Sequence, residues 1–129
     1  GNVNAVNEAA PGVHAHGAFT LGENIADHGG LQISFQAFRN NENAKPEAER
    51  LGTVDGFTPE QRFFLAYAGV WAQNITEAEI RRRTTMDPHS LGEWRVNGAL
   101  PLIDSWYDAF NITPSDPLYV PSDKRVKIW

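Results

Sequence analysis

TLGENIADHGGLQISFQAFRN, Thr20 to Asn40, is the stretch that decides how this chain folds. Ile25, Leu31, Phe35 and Phe38 approximate one apolar face at helical spacing. Thr20 with Glu23 three residues on has the pattern of a capping box, which predicts a helix from Leu21 with Thr20 as N-cap. Gly29-Gly30 weakens that helix locally and marks a point where another backbone packs close. Glu23 and Asp27, four apart, share one face of it.

Working outward, residues 1–20 combine Gly, Pro, Asn and His without a period and read as an irregular lead-in. Residues 40–57 are polar with Pro46, Gly52 and Gly56, an exposed loop with a short helical turn around Glu47–Leu51. Thr58-Pro59-Glu60-Gln61 announces a helix, with Thr58 as N-cap, Pro59 in the first position and Gln61 completing the box. The FFLAYAGVWA that follows is apolar almost all round, as in a central buried helix. Thr76-Glu77-Ala78-Glu79 opens a short helix that Asp87-Pro88 ends. Leu91–Gly98 predicts another, and Pro101 starts the last, with Ile103, Trp106, Tyr107 and Phe110 on one face. Pro114, Pro117 and Pro121 then forbid long helix, leaving 111–129 as an extended tail. The whole is one mainly α unit over 1–129, helical from 21 to 110, with four or five helices.

Composition bounds the chemistry. The 129 residues carry 16 Asp+Glu against 11 Lys+Arg, a formal charge of -5, so no basic face for nucleic acid is expected. No apolar run approaches the ~20 residues of a membrane span. The absence of cysteine excludes disulfides, Cys-ligated zinc, iron–sulfur clusters and thiol nucleophiles. The chain begins with Gly1 and shows no signal peptide, as a processed piece of a longer protein would.

Two constellations carry chemistry. Glu23 and Asp27 repel on a shared face unless something rewards them. One carboxylate binding a metal, with the other accepting the N–H of a ligand imidazole, would do so; an exposed acidic pair near a helix N-terminus is the commoner case for that spacing. In Asp87-Pro88-His89-Ser90 with Arg95 on the next helix, imidazole and guanidinium can converge on one carbonyl or carboxylate. A surface histidine beside a salt-bridged arginine is the plainer alternative. His14, His16 and His28 lie near Glu23 in sequence, the weak outline of a local zinc site. Arg81–Arg83 reads as a solvated face balancing Glu77 and Glu79. Phe63, Phe64, Tyr67, Trp71, Trp106 and Phe110 read as core.

At these residues the sequence resembles the neprilysin family of zinc metallopeptidases. The likeness lies in TLGENIADHGGL (Thr20–Leu31), FTPEQRFFLAYAGVWA (Phe57–Ala72), DPHSLGEWRVNGAL (Asp87–Leu100), the DAF of Asp108–Phe110 and a terminal Trp, in the family's order over most of residues 12–129. It implies the C-terminal helical part of a thermolysin-like (zincin) catalytic domain. It implies that Glu23 is the third zinc ligand and that Asp27 orients a zinc-bound histidine. It implies that His89 stabilises the tetrahedral intermediate and that Arg95 holds the substrate backbone beside the scissile bond.

The departures are equally specific. The family's HExxH helix, source of two histidine ligands and the general base, occurs nowhere in the chain, nor does its substrate-binding NAYxD-type strand. His28 replaces an Asn or apolar residue, and Leu91 replaces a Pro after His-Ser. Cysteines that animal members carry near Ala72, Ile112 and the C-terminus are missing, which suits a bacterial homologue outside the cytoplasm, in the periplasm, cell envelope or medium. The full-length protein is thus expected to be a zinc metalloendopeptidase acting on peptides. The chain alone, with one ligand, is expected to hold zinc weakly or not at all and to cleave nothing. Its expected partners are the missing N-terminal part of the peptidase domain and, through an uncovered apolar face, a second copy of itself. A non-catalytic interaction module that kept this fold is the reading from a different class.

Overall fold

The structure, a computed structural model, describes residues 12–128. The first eleven residues of the expected lead-in and the terminal Trp129 lie outside the described residues. Five α-helices follow in order: α1 (Gly17–Ala44), α2 (Pro59–Val70), α3 (Glu77–Met86), α4 (Gly92–Asn97) and α5 (Asp104–Phe110). Short 3-10 turns stand at Glu47–Glu49, Leu100–Leu102 and Ser122–Lys124. The mainly α class read from the sequence is the class observed.

α1 starts earlier and ends later than its sequence predicts. Its N-cap is His16, without a side-chain cap bond, and Thr20 lies inside the helix. The amides of Phe19 and Thr20 both reach the carbonyl of His16, at 3.0 and 3.2 Å, so Gly17–Phe19 form a turn ahead of the expected cap. Thr20 turns its hydroxyl back to the same carbonyl at 3.4 Å instead of capping, and is buried. The helix passes through Gly29-Gly30 unbroken for 28 residues. A methyl added at Gly30 meets nothing within 4 Å among the described residues, while its neighbour Gly29 is buried.

The polar loop closes in a tight turn: Val54 and Phe57 exchange both backbone hydrogen bonds, at 3.0 and 2.9 Å, around Asp55 and Gly56 at φ 53° and 81°. α2 begins as its sequence dictates. Thr58 Oγ1 accepts from the Gln61 amide at 3.2 Å, and Gln61 Oε1 accepts from the Thr58 amide at 3.0 Å. Gln61 also donates Nε2 to the Ala109 carbonyl at 2.9 Å, tying α2 to α5.

The core is aromatic. Leu31 and Phe35 of α1, Phe64 of α2, and Leu100, Ile103, Trp106 and Tyr107 form one buried cluster, with Phe38, Phe63, Tyr67 and Phe110 packed against it. Phe35 sits between two rings, stacked on Phe64 at 5.0 Å and edge-on to Phe63 at 5.2 Å. A smaller cluster of Ile80 and Leu91 closes α3 onto α4. α2 is not the central helix its composition predicts: Phe64 is buried, but Leu65 and Val70 are 43% and 70% exposed. One side of α2 faces the core and the other is uncovered. Pro101 does not start α5; it lies in the 3-10 turn before it, and Asp104 is the first helical residue.

The tail packs back on α5 and α1. Arg125 stacks on Tyr107, 3.4 Å from the ring centre, and donates to the Val120 carbonyl and to Asp104 at 2.8 and 3.1 Å. Buried His28 reaches the Val126 carbonyl with Nε2 at 2.8 Å. That contact explains the histidine as an anchor for the tail, not a donor to a local metal site.

Candidate active site

The site forms where α1 meets the turn between α3 and α4. Pro88 forces Asp87 into extended geometry, which ends α3, and the Asp87 amide still bonds back to the Arg83 carbonyl at 2.9 Å. Asp87 Oδ1 then accepts from the His89 amide at 3.0 Å and lies 2.8 Å from His89 Nδ1. This turn brings His89 Nε2 to 3.1 Å from Glu23 Oε2 on α1. The two His89 donations, the amide first and then the ring, hold the Asp87 carboxyl below its ordinary range.

Leu91, buried, caps the turn and α4 begins at Gly92. A methyl on Gly92 would lie 2.4 Å from the Trp71 carbonyl oxygen, so only glycine lets α4 start this close to the end of α2. One turn on, Arg95 returns to α1 and grips Asp27 through two bonds, Nε to Oδ2 at 2.6 Å and Nη2 to Oδ1 at 2.8 Å. Its guanidinium lies 3.6 Å from the ring centre of Trp71. Tyr67 Oη donates to the Arg95 carbonyl at 3.2 Å. The Asp27 bonds raise Arg95 further above its usual value, while burial, and then the charge of Asp27, push the Tyr67 phenol up. A cleft of about 120 Å³ opens here, lined by Trp71, Gln73, Arg83, Asp87, His89 and Arg95 among others.

Glu23, Asp27, His89 and Arg95, separated by up to 72 positions in sequence, therefore come together. Their pairing differs from the convergence expected of His89 and Arg95 on one group: each takes its own carboxylate of α1. Both oxygens of Asp27 accept from Arg95. The local zinc site of His14, His16 and Glu23 does not form, since among the described residues no group of three His, Asp or Glu could hold a metal ion. Trp71, read as core, lies under Arg95 instead. Asp87 carries a local signal for its role: an Asp two residues before a turn residue, with Pro between, is the pattern of a side chain that closes its own turn.

Peptidase family M13 matches residues 2–126. The chain belongs to this family. Its relatives include human endothelin-converting enzyme 1, 33% identical over 95% of this chain and 16% of that protein, and neprilysin-11 of Caenorhabditis elegans, 33% identical over 88% and 13%. Among solved structures, the zinc metalloprotease Zmp1 of Mycobacterium tuberculosis in complex with inhibitor superposes with TM-score 0.89 at 38% identity, over 99% of this chain and 20% of that one. Its open state gives 0.83 at 42% identity, over 92% and 18%. The fold is thus the helical part of a family M13 peptidase, and the chain spans a fifth or less of these relatives.

Proposed function

We propose that this chain is the C-terminal part of a zinc metalloendopeptidase, supplying one metal ligand and the residues that hold peptide and transition state. The observation that carries the reading is the meeting of Glu23 and Asp27, one helical turn apart on α1, with His89 of the turn after α3 and Arg95 of α4. Clusters of titratable and charged side chains on one small surface are where functional sites concentrate.

The donor set fits zinc only in part. Glu23 is 47% exposed in its side chain and stands free to turn from His89 to a cation. A zinc site needs about three protein ligands, so two more must come from residues outside this chain. When bound, zinc activates a water and polarises the scissile carbonyl. This chain's residues do the rest of what is assigned to them here. Asp87 fixes the His89 ring through Nδ1, and when both ring nitrogens carry protons Nε2 donates to a developing oxyanion. Asp27 and Trp71 fix the plane of Arg95, which leaves Nη1 outside the pair to meet a substrate carbonyl. Asp27 keeps lone pairs with which to accept the N–H of a ligand imidazole.

The location proposed is outside the cytoplasm of a bacterium; the lack of cysteine in the chain and its likeness to the mycobacterial chain support the source. Among the described residues no helix is long and apolar enough to cross a membrane. The second reading, a non-catalytic module, draws on the lack of HExxH in the chain and on the uncovered Phe19, Leu21, Ile25 and Ile33 of α1. Fusing the chain behind an HExxH-bearing portion of a family M13 peptidase separates the two. Peptide cleavage that falls at least tenfold in His89→Ala, with a raised KM in Arg95→Met, supports the peptidase. A folded, zinc-loaded fusion whose cleavage neither substitution changes supports the module.

A further inference from the structure

If Glu23 turns its carboxylate to a cation, its 3.1 Å contact with His89 is released, and something else must keep the His89 turn against α1. Asp87 cannot do so, because both its bonds to His89 lie within the turn. The Arg95–Asp27 pair holds α4, six residues further on. On the His89 side the crossing bond is Ser90 Oγ to Asn24 Oδ1, at 2.9 Å. Asn24 donates Nδ2 to Thr20 Oγ1 at 3.3 Å, and buried Thr20 donates to the His16 carbonyl at 3.4 Å. The amide is therefore aimed from both ends, with its nitrogen toward Thr20 and its oxygen toward Ser90. Asn24 directly follows Glu23 and Ser90 directly follows His89, so this bond joins the neighbours of the two residues that must stay in register.

Resting on the reading of Glu23 as a metal ligand, we propose that Asn24 and Ser90 are positioning residues. They form an uncharged brace that holds His89 beside α1 while the Glu23 carboxylate is engaged elsewhere. A neutral hydrogen bond suits this task, because neither loss of the Glu23 charge nor added salt weakens it as they would an ion pair.

The test is backbone ¹⁵N relaxation on the metal-free chain, with Glu23→Gln standing for a carboxylate no longer paired with His89. In that variant the order parameters of His89 and Ser90 stay near ~0.85, as for rigid backbone, and in Glu23→Gln/Ser90→Ala or Glu23→Gln/Asn24→Ala they fall below ~0.6. Ser90→Thr, which keeps the hydroxyl, restores them in the Glu23→Gln background. Should the double variants not fold, about 1 M salt screens the ion pair in the unmodified chain, which stays ordered at His89 while Ser90→Ala alone does not. A turn already mobile in Glu23→Gln, a turn still ordered in the folded double variants, or no rescue by Ser90→Thr overturns the brace. No metal enters this measurement, so its failure leaves the zinc reading to be judged separately, by the zinc content of the fused protein.

Discussion

Asp27 and Arg95 face each other across α1 and α4 with both carboxylate oxygens matched to two guanidinium nitrogens, at 2.6 and 2.8 Å. The side chains are only 19% and 15% exposed, so the pair is shielded enough for its loss to be felt. Asp27→Ala leaves the guanidinium on Trp71 without its carboxylate. The expected cost is about 2 kcal/mol, since hydrogen bonds to charged groups contribute roughly 1.5–3 kcal/mol. For a domain of this size that lowers Tm by about 8 °C. Calorimetric unfolding of the two chains at one pH checks it, and an unchanged Tm would show the pair to be dispensable for the fold.

The glycines of the site make opposite predictions. Gly92→Ala drives a methyl into the Trp71 carbonyl, a backbone atom that cannot swing aside, and is expected to destabilise by about 2 kcal/mol or more. Gly30→Ala meets open space in the middle of α1 and should stabilise the chain by about 0.5–1 kcal/mol. Urea unfolding of both variants reads the two signs. If the missing part of the domain packs its backbone at Gly30, the same alanine weakens assembly in the fused protein.

Glu79 sets the acid behaviour of α3. Arg82 and Arg83 bond to its carboxylate and bring its pKa down from the usual 4.5 to about 2. A folded value below the unfolded one contributes stability that is present above about pH 4.5 and lost as pH falls toward 2. The carboxyl carbon of Glu79 should therefore titrate in NMR with a midpoint near 2, and move back toward 4.5 in Arg82→Ala/Arg83→Ala. A midpoint near 4.5 in the unmodified chain would place both arginines in solvent.

Self-association follows from the surface of α1. Phe19, Leu21, Ile25 and Ile33 are each 45–55% exposed on this helix. An uncovered apolar surface of this kind drives association when its own partner is absent. Sedimentation velocity should show a weight-average mass rising with concentration, reduced by Leu21→Lys/Ile25→Lys. A single monomeric species at high concentration contradicts it.

Local signals made much of this molecule legible from sequence. Thr58, Pro59 and Gln61 determine the start of α2 within one turn, and Trp106 and Tyr107 of α5 lie in the core as their spacing puts them, joined by Ile103 from the position before the helix. The failures are those of tertiary context. α2 reads as buried because its composition is apolar, yet part of that apolar surface is uncovered in this chain. Thr20 has the chemistry of a cap, but three helical residues before it supply the turn. For the site, spacing brought Glu23 and Asp27 to one face and the family motifs assigned His89 and Arg95. Which carboxylate meets which base depends on the length of α4 and the Asp87 turn, and no local pattern encodes that. Trp71 was hidden for a related reason: a guanidinium above its ring looks, in sequence, like one more core aromatic.

Glu23 is proposed to complete a zinc site whose other donors lie outside this chain. This is tested most directly by the zinc content of the chain alone, of the chain fused behind an HExxH-bearing portion of a family M13 peptidase, and of that fusion with Glu23→Gln. The expected result is little zinc in the chain, one zinc per molecule in the fusion, and an affinity at least tenfold weaker after Glu23→Gln. One tightly held zinc in the isolated chain, or undiminished affinity in the Glu23→Gln fusion, would show that Glu23 is not the ligand that completes such a site.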